Sequence, residues 1–161
     1  MNDLSPIEEQ VVENAAAYIH AKGYQFSWIP GNDCAGFRKS KLFGFDVVNM
    51  QPNYMFEAVP ADRLHQTAAL AQQYGLGVEM EMDDGILQPD SVGATDRAKL
   101  LAYLDYGVTD QYMVSFVAWY QQVKTLSSAS SSINPDVRQM YDLVYQFVKG
   151  RYVHSTATSY P

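Results

Sequence analysis

Strict alternation of two hydrophobic periods is what most constrains this chain. A helical stretch comes first, and then short apolar or period-two runs alternate with helical runs four times. The opening helix is well marked in "LSPIEEQVVENAAAYIHAKG". Ser5 is a plausible N-cap, Pro6 takes the first helical position and Glu8 completes a capping box. Ile7, Val11, Val12, Ala15, Ala16 and Ile19 recur at helical spacing, and Gly23 ends the run. Strands are expected in "YQFSWIPG", "FDVVNMQPN", "LGVEMEMD" and "YMVSFVAWYQ". Helices are expected at 35–43, in "PADRLHQTAALAQQYG", in "ATDRAKLLAYLDYG" and from Pro135 onward, with Asn134 as a cap. The serine-rich "SSASSS" reads as a low-complexity loop. Residues 1–152 thus form one α/β domain, and 153–161 an irregular tail.

Alternation with short connections predicts a parallel sheet joined by right-handed crossovers. Two architectures fit: an open doubly wound sheet, or the C-terminal half of a TIM-like (β/α)8 barrel. In the open sheet helices cover both faces, so inner strands read apolar throughout. These strands do not. Asn49, Gln51 and Asn53 alternate with Val48 and Met50, and Glu79, Glu81 and Asp83 alternate with Val78, Met80 and Met82. The fourth strand sets Ser115, Val117 and Trp119 opposite Val114, Phe116 and Ala118. A barrel interior that opens into a site at the strands' carboxyl ends explains such faces, and the half-barrel is the preferred reading. A complete barrel needs about 250 residues, so a half-barrel of 161 residues is expected to associate with a missing N-terminal half or with itself.

Composition narrows the partners. A hydrophobic fraction of 47% and a charged fraction of 18% suit a chain with a real core. A net charge of −7 with scattered basic residues disfavours nucleic acid and anionic membranes. Cys34 stands alone, and His20, His65 and His154 share no motif, so no disulfide framework, metal set or cofactor is expected. The acidic start "MNDLSPIEEQ" carries no secretory signal, and no run is long enough for a membrane span. The chain reads as soluble, or as secreted if it is a piece of a longer protein.

The run Glu79-x-Glu81-x-Asp83 is the candidate catalytic feature, with Glu81 as the favoured nucleophile or base. Retaining glycosidases on barrels commonly place a carboxylate at the end of the seventh strand, an analogy of fold alone. Crowded carboxylates raise one another's proton affinity, which suits acid–base work on a glycosidic bond. Three other readings compete: a solvated face, a self-satisfied polar network with Gln51 and Asn53, and a hard-cation site, for which no Asp-rich loop speaks. Gln51, Asn53, Tyr54, Trp28, Trp119 and Asn32 lie near strand ends and are candidate substrate contacts. His65 and Cys34 read as structural.

"WIPGNDCAGFRKSKLFGFDVVNMQPNYMF" followed by "ADRLHQTAALAQQYGLGVEMEMDDG" resembles a bacterial family of unknown function, DUF4855. The resemblance covers roughly 28–84, with a looser fit through Trp119. It rests on Trp-Ile-Pro, Gly-Phe-Asp, Gln-Pro-Asn-Tyr and Gly-x-Gly-x-Glu-x-Glu-x-Asp, and departs at Gly31, where an aromatic is expected. It implies a glycosidase-type barrel acting on a glycan, with Gln51, Asn53, Tyr54, Glu79, Glu81 and Trp119 as site candidates. The alternative is a non-catalytic glycan-binding or structural module of the same fold.

Overall fold

The computed structural model describes residues 4–111, 117–153 and 160–161. Its first helix, α1 (Pro6–Ala21), begins as the sequence dictates. The Ser5 hydroxyl accepts from the Glu8 N–H, and the Glu8 carboxylate reaches back to the Ser5 N–H. There follow β1 (Ser27–Trp28), a 3-10 helix (Ala35–Lys39), β2 (Val47–Met50), α2 (Asp62–Tyr74) and β3 (Gly77–Glu81). A second 3-10 helix (Asp84–Leu87) leads to α3 (Ser91–Thr109), β4 (Val117–Tyr120), α4 (Thr125–Ser130) and α5 (Pro135–Val148). No described helix is long and apolar enough to cross a membrane.

The four strands form one sheet in the order β1-β2-β3-β4, every neighbouring pair parallel. A doubly wound sheet reverses its strand order at a switch point. This sheet has no reversal, so each crossover steps the same way and the sheet curls as a half-barrel. The open doubly wound alternative is not what forms.

Register decides which side chains share a face, because in-register neighbours in a parallel sheet point the same way. Met50 pairs with Val78, and Met80 with Trp119. These residues, with Trp28 and Val48, belong to the helix-covered core that also takes Leu64, Ala68, Leu100, Leu104, Val144 and Phe147. On the opposite, concave face Asn49 is level with Gly77, Glu79 with Ala118, and Glu81 with Tyr120. The concave side therefore holds the polar residues of β2 and β3, as their alternation predicts.

The fourth strand is turned the other way from its predicted orientation. Val117 and Trp119 are on the helix side, and Trp119 packs edge-to-face on Phe147 of α5 at 6.1 Å. Burying the larger indole against a helix outweighs placing it over the groove. The rest of that predicted strand, including Ser115, lies outside the described residues, as does His154. The serine-rich stretch is also corrected. It forms α4, with Thr125 and Ala129 buried and the Ser130 and Ser131 hydroxyls donating back to the Ser127 carbonyl. Its few apolar atoms dock against α5, and packing overrides weak propensity. At the far end of the chain, the Tyr160 hydroxyl donates to buried Asp105, which also accepts from Tyr152 at 2.6 Å.

Gly44, between the first 3-10 helix and β2, has φ +80, and a Cβ there would stand 2.7 Å from Cβ of Ala16 on α1. Gly44→Ala therefore combines left-handed strain with a collision between two backbone-anchored carbons. Urea unfolding should show it destabilised by about 2 kcal/mol, a figure built from strain and overpacking together.

Candidate ligand site at the strand ends

β3 is buried along its whole length, carboxylates included. Glu81 is fully buried at the strand's last position. Pro52 closes β2, and Asn53 then takes φ 58, a left-handed turn that asparagine tolerates better than most residues. That turn aims backbone donors at β3. The Asn53 N–H donates to Glu81 Oε1 at 3.1 Å, and the Met55 N–H to Oε2 at 3.2 Å. The Tyr103 hydroxyl, from α3, donates to the same Oε2, and the Gln51 side chain adds a further bond. Burial drives the proton affinity of Glu81 up, and the bonds from Tyr103, Met55, Asn53 and Gln51 oppose it without cancelling it.

Glu79 has the same burial without the donors. It is 5% exposed, and its Oε2 has no hydrogen-bond partner. Asn49, 2% exposed on the adjacent strand, likewise has an unpartnered Oδ1. Burial first, and the neighbouring Glu81 charge second, push Glu79 up to about 7. The two carboxyls together therefore hold a proton close to neutrality, and can act as one acid and one base. A cavity of about 390 Å³ opens over the same face of the sheet, lined by Gln25, Ser27, Ile29, Val47, Asn49 and Ala118, the last of these level with Glu79.

The remaining candidates divide. Gln51 joins the site through its bond to Glu81, and Asn53 joins through its backbone. A Cβ on Gly31 would meet the Asn53 amide nitrogen at 3.5 Å, an ordinary contact, so the glycine found where an aromatic was expected has no steric explanation here. Asp83 is drawn off to cap the second 3-10 helix, accepting from the Gly85 N–H at 2.8 Å and from Gln122 Nε2 at 3.1 Å. Tyr54 is fully buried, and its hydroxyl donates to the Pro161 carbonyl at 2.7 Å. Trp28 stacks on Phe45 at 5.1 Å, and Asn32 accepts from the Thr67 hydroxyl at 2.7 Å, both away from the acids. Trp119 belongs to the opposite face. His65 pairs with Asp110 at 2.6 Å and packs on Tyr106, and Cys34 is buried beside Gly36.

Two features here were not among the sequence candidates. Tyr120 is noticeable in the sequence as an aromatic near a strand end, where core packing is the commoner role. Level with Glu81, it meets Phe56 edge-to-face at 5.5 Å, and both rings are about two-fifths exposed. The only hint was the Trp-Tyr pair at 119–120, and choosing between the two rings requires the β3–β4 register. Tyr103 left no signal, since it looks like any core residue of α3. Among the described residues no group of three or more His, Cys, Asp or Glu is placed to hold a metal.

Tyr103→Phe removes a donor from a buried carboxyl and should cost about 1–3 kcal/mol in chemical denaturation. Glu79 gives a pH test. Its folded pKa lies above the ordinary value of 4.5, so the folded state holds a proton that the unfolded chain releases. The stability this supplies is complete below about pH 4.5, and is lost as pH rises to about 7. Glu79→Gln should flatten that slope, gaining about 1–2 kcal/mol on the wild type between pH 5 and 8 in thermal melts read at both pH values.

No curated protein and no solved structure matches this chain significantly. The family model described as a domain of unknown function, DUF4855, does match, and it spans residues 1–146. The pattern seen around the two strand-end motifs thus extends over nearly the whole chain, which belongs to the DUF4855 family.

Proposed function

We propose that this domain is carbohydrate-active, half of a TIM-like (β/α)8 barrel that holds a glycan against the concave face of its sheet. The observation that carries the reading is the Glu79–Glu81 pair: two buried carboxyls on the concave side of one parallel strand, at its carboxyl end. Barrels place their ligand-facing groups at that end. Phe56 and Tyr120 offer exposed rings beside Glu81, of the kind that stack on sugar faces, and the groove adds Ser27, Asn49 and Gln25 for hydroxyls. Completion of the barrel by a second four-stranded unit, from another copy or a separate half, suits the surfaces left open. α1 buries only Ala16 and exposes Ile7, Val11 and Tyr18, while β1 and β4 are the two ends of the sheet.

Hydrolysis and simple binding draw on different observations. A glycosidase needs one carboxyl to donate a proton and a second to act as base or nucleophile. A pair that holds a proton near neutrality supplies one of each, and this favours a glycoside hydrolase-like reading with Glu81 as nucleophile or base. The enclosure of Glu81 by Asn53, Met55 and Tyr103 favours the other reading, a non-catalytic glycan-binding module in which Glu81 holds the loop and Glu79 meets the ligand.

Release of reducing ends from a polysaccharide panel, measured alongside binding and with a complementary half supplied, separates the two. A hydrolase should lose about 10²–10⁴ of its rate in Glu81→Gln while keeping glycan affinity. Binding without cleavage in the wild type selects the module. Neither binding nor cleavage ends the proposal.

A further inference from the structure

The buried acids of β3 have no counter-charge. The ion pairs among the described residues join His20 to Asp46, Arg63 to Asp33, His65 to Asp110 and Arg138 to Asp142, and none reaches Glu79 or Glu81. Lys99, on α3, is committed to the carbonyls of Met55 and Glu57 and to the ring face of Tyr54. A buried carboxylate is tolerated when donors or a cation compensate it. Glu81 has its donors. Glu79 has neither, and on the adjacent strand, on the same face, Asn49 Oδ1 is a second acceptor without a partner.

Asn49 lines the groove directly, and so does Ala118, the residue level with Glu79 on β4; Glu79 itself lies on the same face of the strand between them. The other lining residues are apolar or neutral: Ile29, Val47, Ser27 and Gln25. One buried acceptor thus belongs to a residue of the cavity wall, and the second to its neighbour on the same face. The lining beside them presents no charge of its own, in a chain whose net charge is −7. With Glu79 ionised, the arrangement lacks a hydrogen-bond donor that also carries positive charge.

We propose that this groove is a subsite for a protonated amine, whose N–H groups would engage Asn49 Oδ1 and Glu79 Oε2. The inference rests on the glycan reading for the remainder of the ligand, and names its class: a glycan with free amino groups. An ammonium brings three donors, enough for both acceptors and for the Ser27 hydroxyl or the Gln25 amide oxygen. Ile29, Val47 and Ala118 would meet the carbon skeleton. An N-acetylated sugar has no charge and one N–H in place of three, so it can satisfy only one of the two acceptors, and the same groups favour the amine over the amide. A plain hydroxyl can satisfy one acceptor but leaves the carboxylate uncompensated.

Calorimetric titration of the whole chain at pH 7 tests this with four probes: glucosamine oligosaccharides, N-acetylglucosamine and glucose oligosaccharides of equal length, and spermidine. The glucosamine oligomer should bind at least about tenfold more tightly than either neutral oligomer. Glu79→Gln should abolish the preference. It moves net charge only from −7 to −6, so unspecific attraction to an acidic surface would scarcely change. Ala118→Leu, which fills the cavity and leaves both acceptors in place, should weaken the amine probe by a similar factor. Equal affinity for amine and N-acetylated oligomers overturns the inference and leaves the glycan reading standing. A preference that survives Glu79→Gln overturns it also. Spermidine bound through Glu79 with no oligosaccharide bound would support the amine site and remove the glycan. Failure of all four probes to bind would remove both.

Discussion

A carboxyl group buried at the end of a parallel strand must be given donors by something outside its own strand, and the surroundings of Glu81 follow from that requirement. Its donors come from two other parts of the fold: the loop after β2, through Asn53 and Met55, and the middle of α3, through Tyr103. The carboxyl therefore ties β2, β3 and α3 together at the carboxyl end of the sheet. It also explains why the Gln51–Met55 segment is shaped as it is. Pro52 stops the ladder and Asn53 turns left-handed, which directs the following amides at Glu81. An unsatisfied charge here would cost several kcal/mol, so the loop is as constrained as the core.

Glu79 shows what the same burial does without that support. The two acids sit two residues apart on one face of one strand, yet one is held by four donor groups and the other has an oxygen with none. Identical side chains are thereby given different tasks by their surroundings. Glu81 accepts bonds that join the loop after β2 to α3. Glu79, unpaired and adjacent to the groove, is the group available to chemistry or to a ligand.

The rest of the architecture presents this strand to the concave side. Every crossover steps in one direction, so the helices gather on the convex face and the groove is left to polar and small residues. The large side chains Trp28, Met50, Met80 and Trp119 are spent on the helix layer. That is why the indoles, which chemical intuition would place against a sugar, are absent from the groove, and why Tyr120 and Phe56 hold the exposed positions beside Glu81.

Local features of this chain were legible in its sequence because neighbours along the chain produce them. The capping box of α1, the order of helices and strands and the two-residue period that sets Glu79 and Glu81 on one face of β3 all depend on residues a few positions apart. The matter was different wherever distant segments had to meet. Asn53 and Tyr103 are 28 and 22 positions from Glu81, and nothing local marks either as its partner. The facing of β4 followed from its pairing with β3, where a shift of one residue exchanges Trp119 for Tyr120. The helical state of the serine-rich segment came from docking on α5, and Asp83 was diverted to a cap by the chain's turn after β3. Sequence determined which residues alternate and which elements form. Tertiary structure decided which acid is satisfied and which is left open, because donors, burial and counter-charge are properties of the space around a side chain.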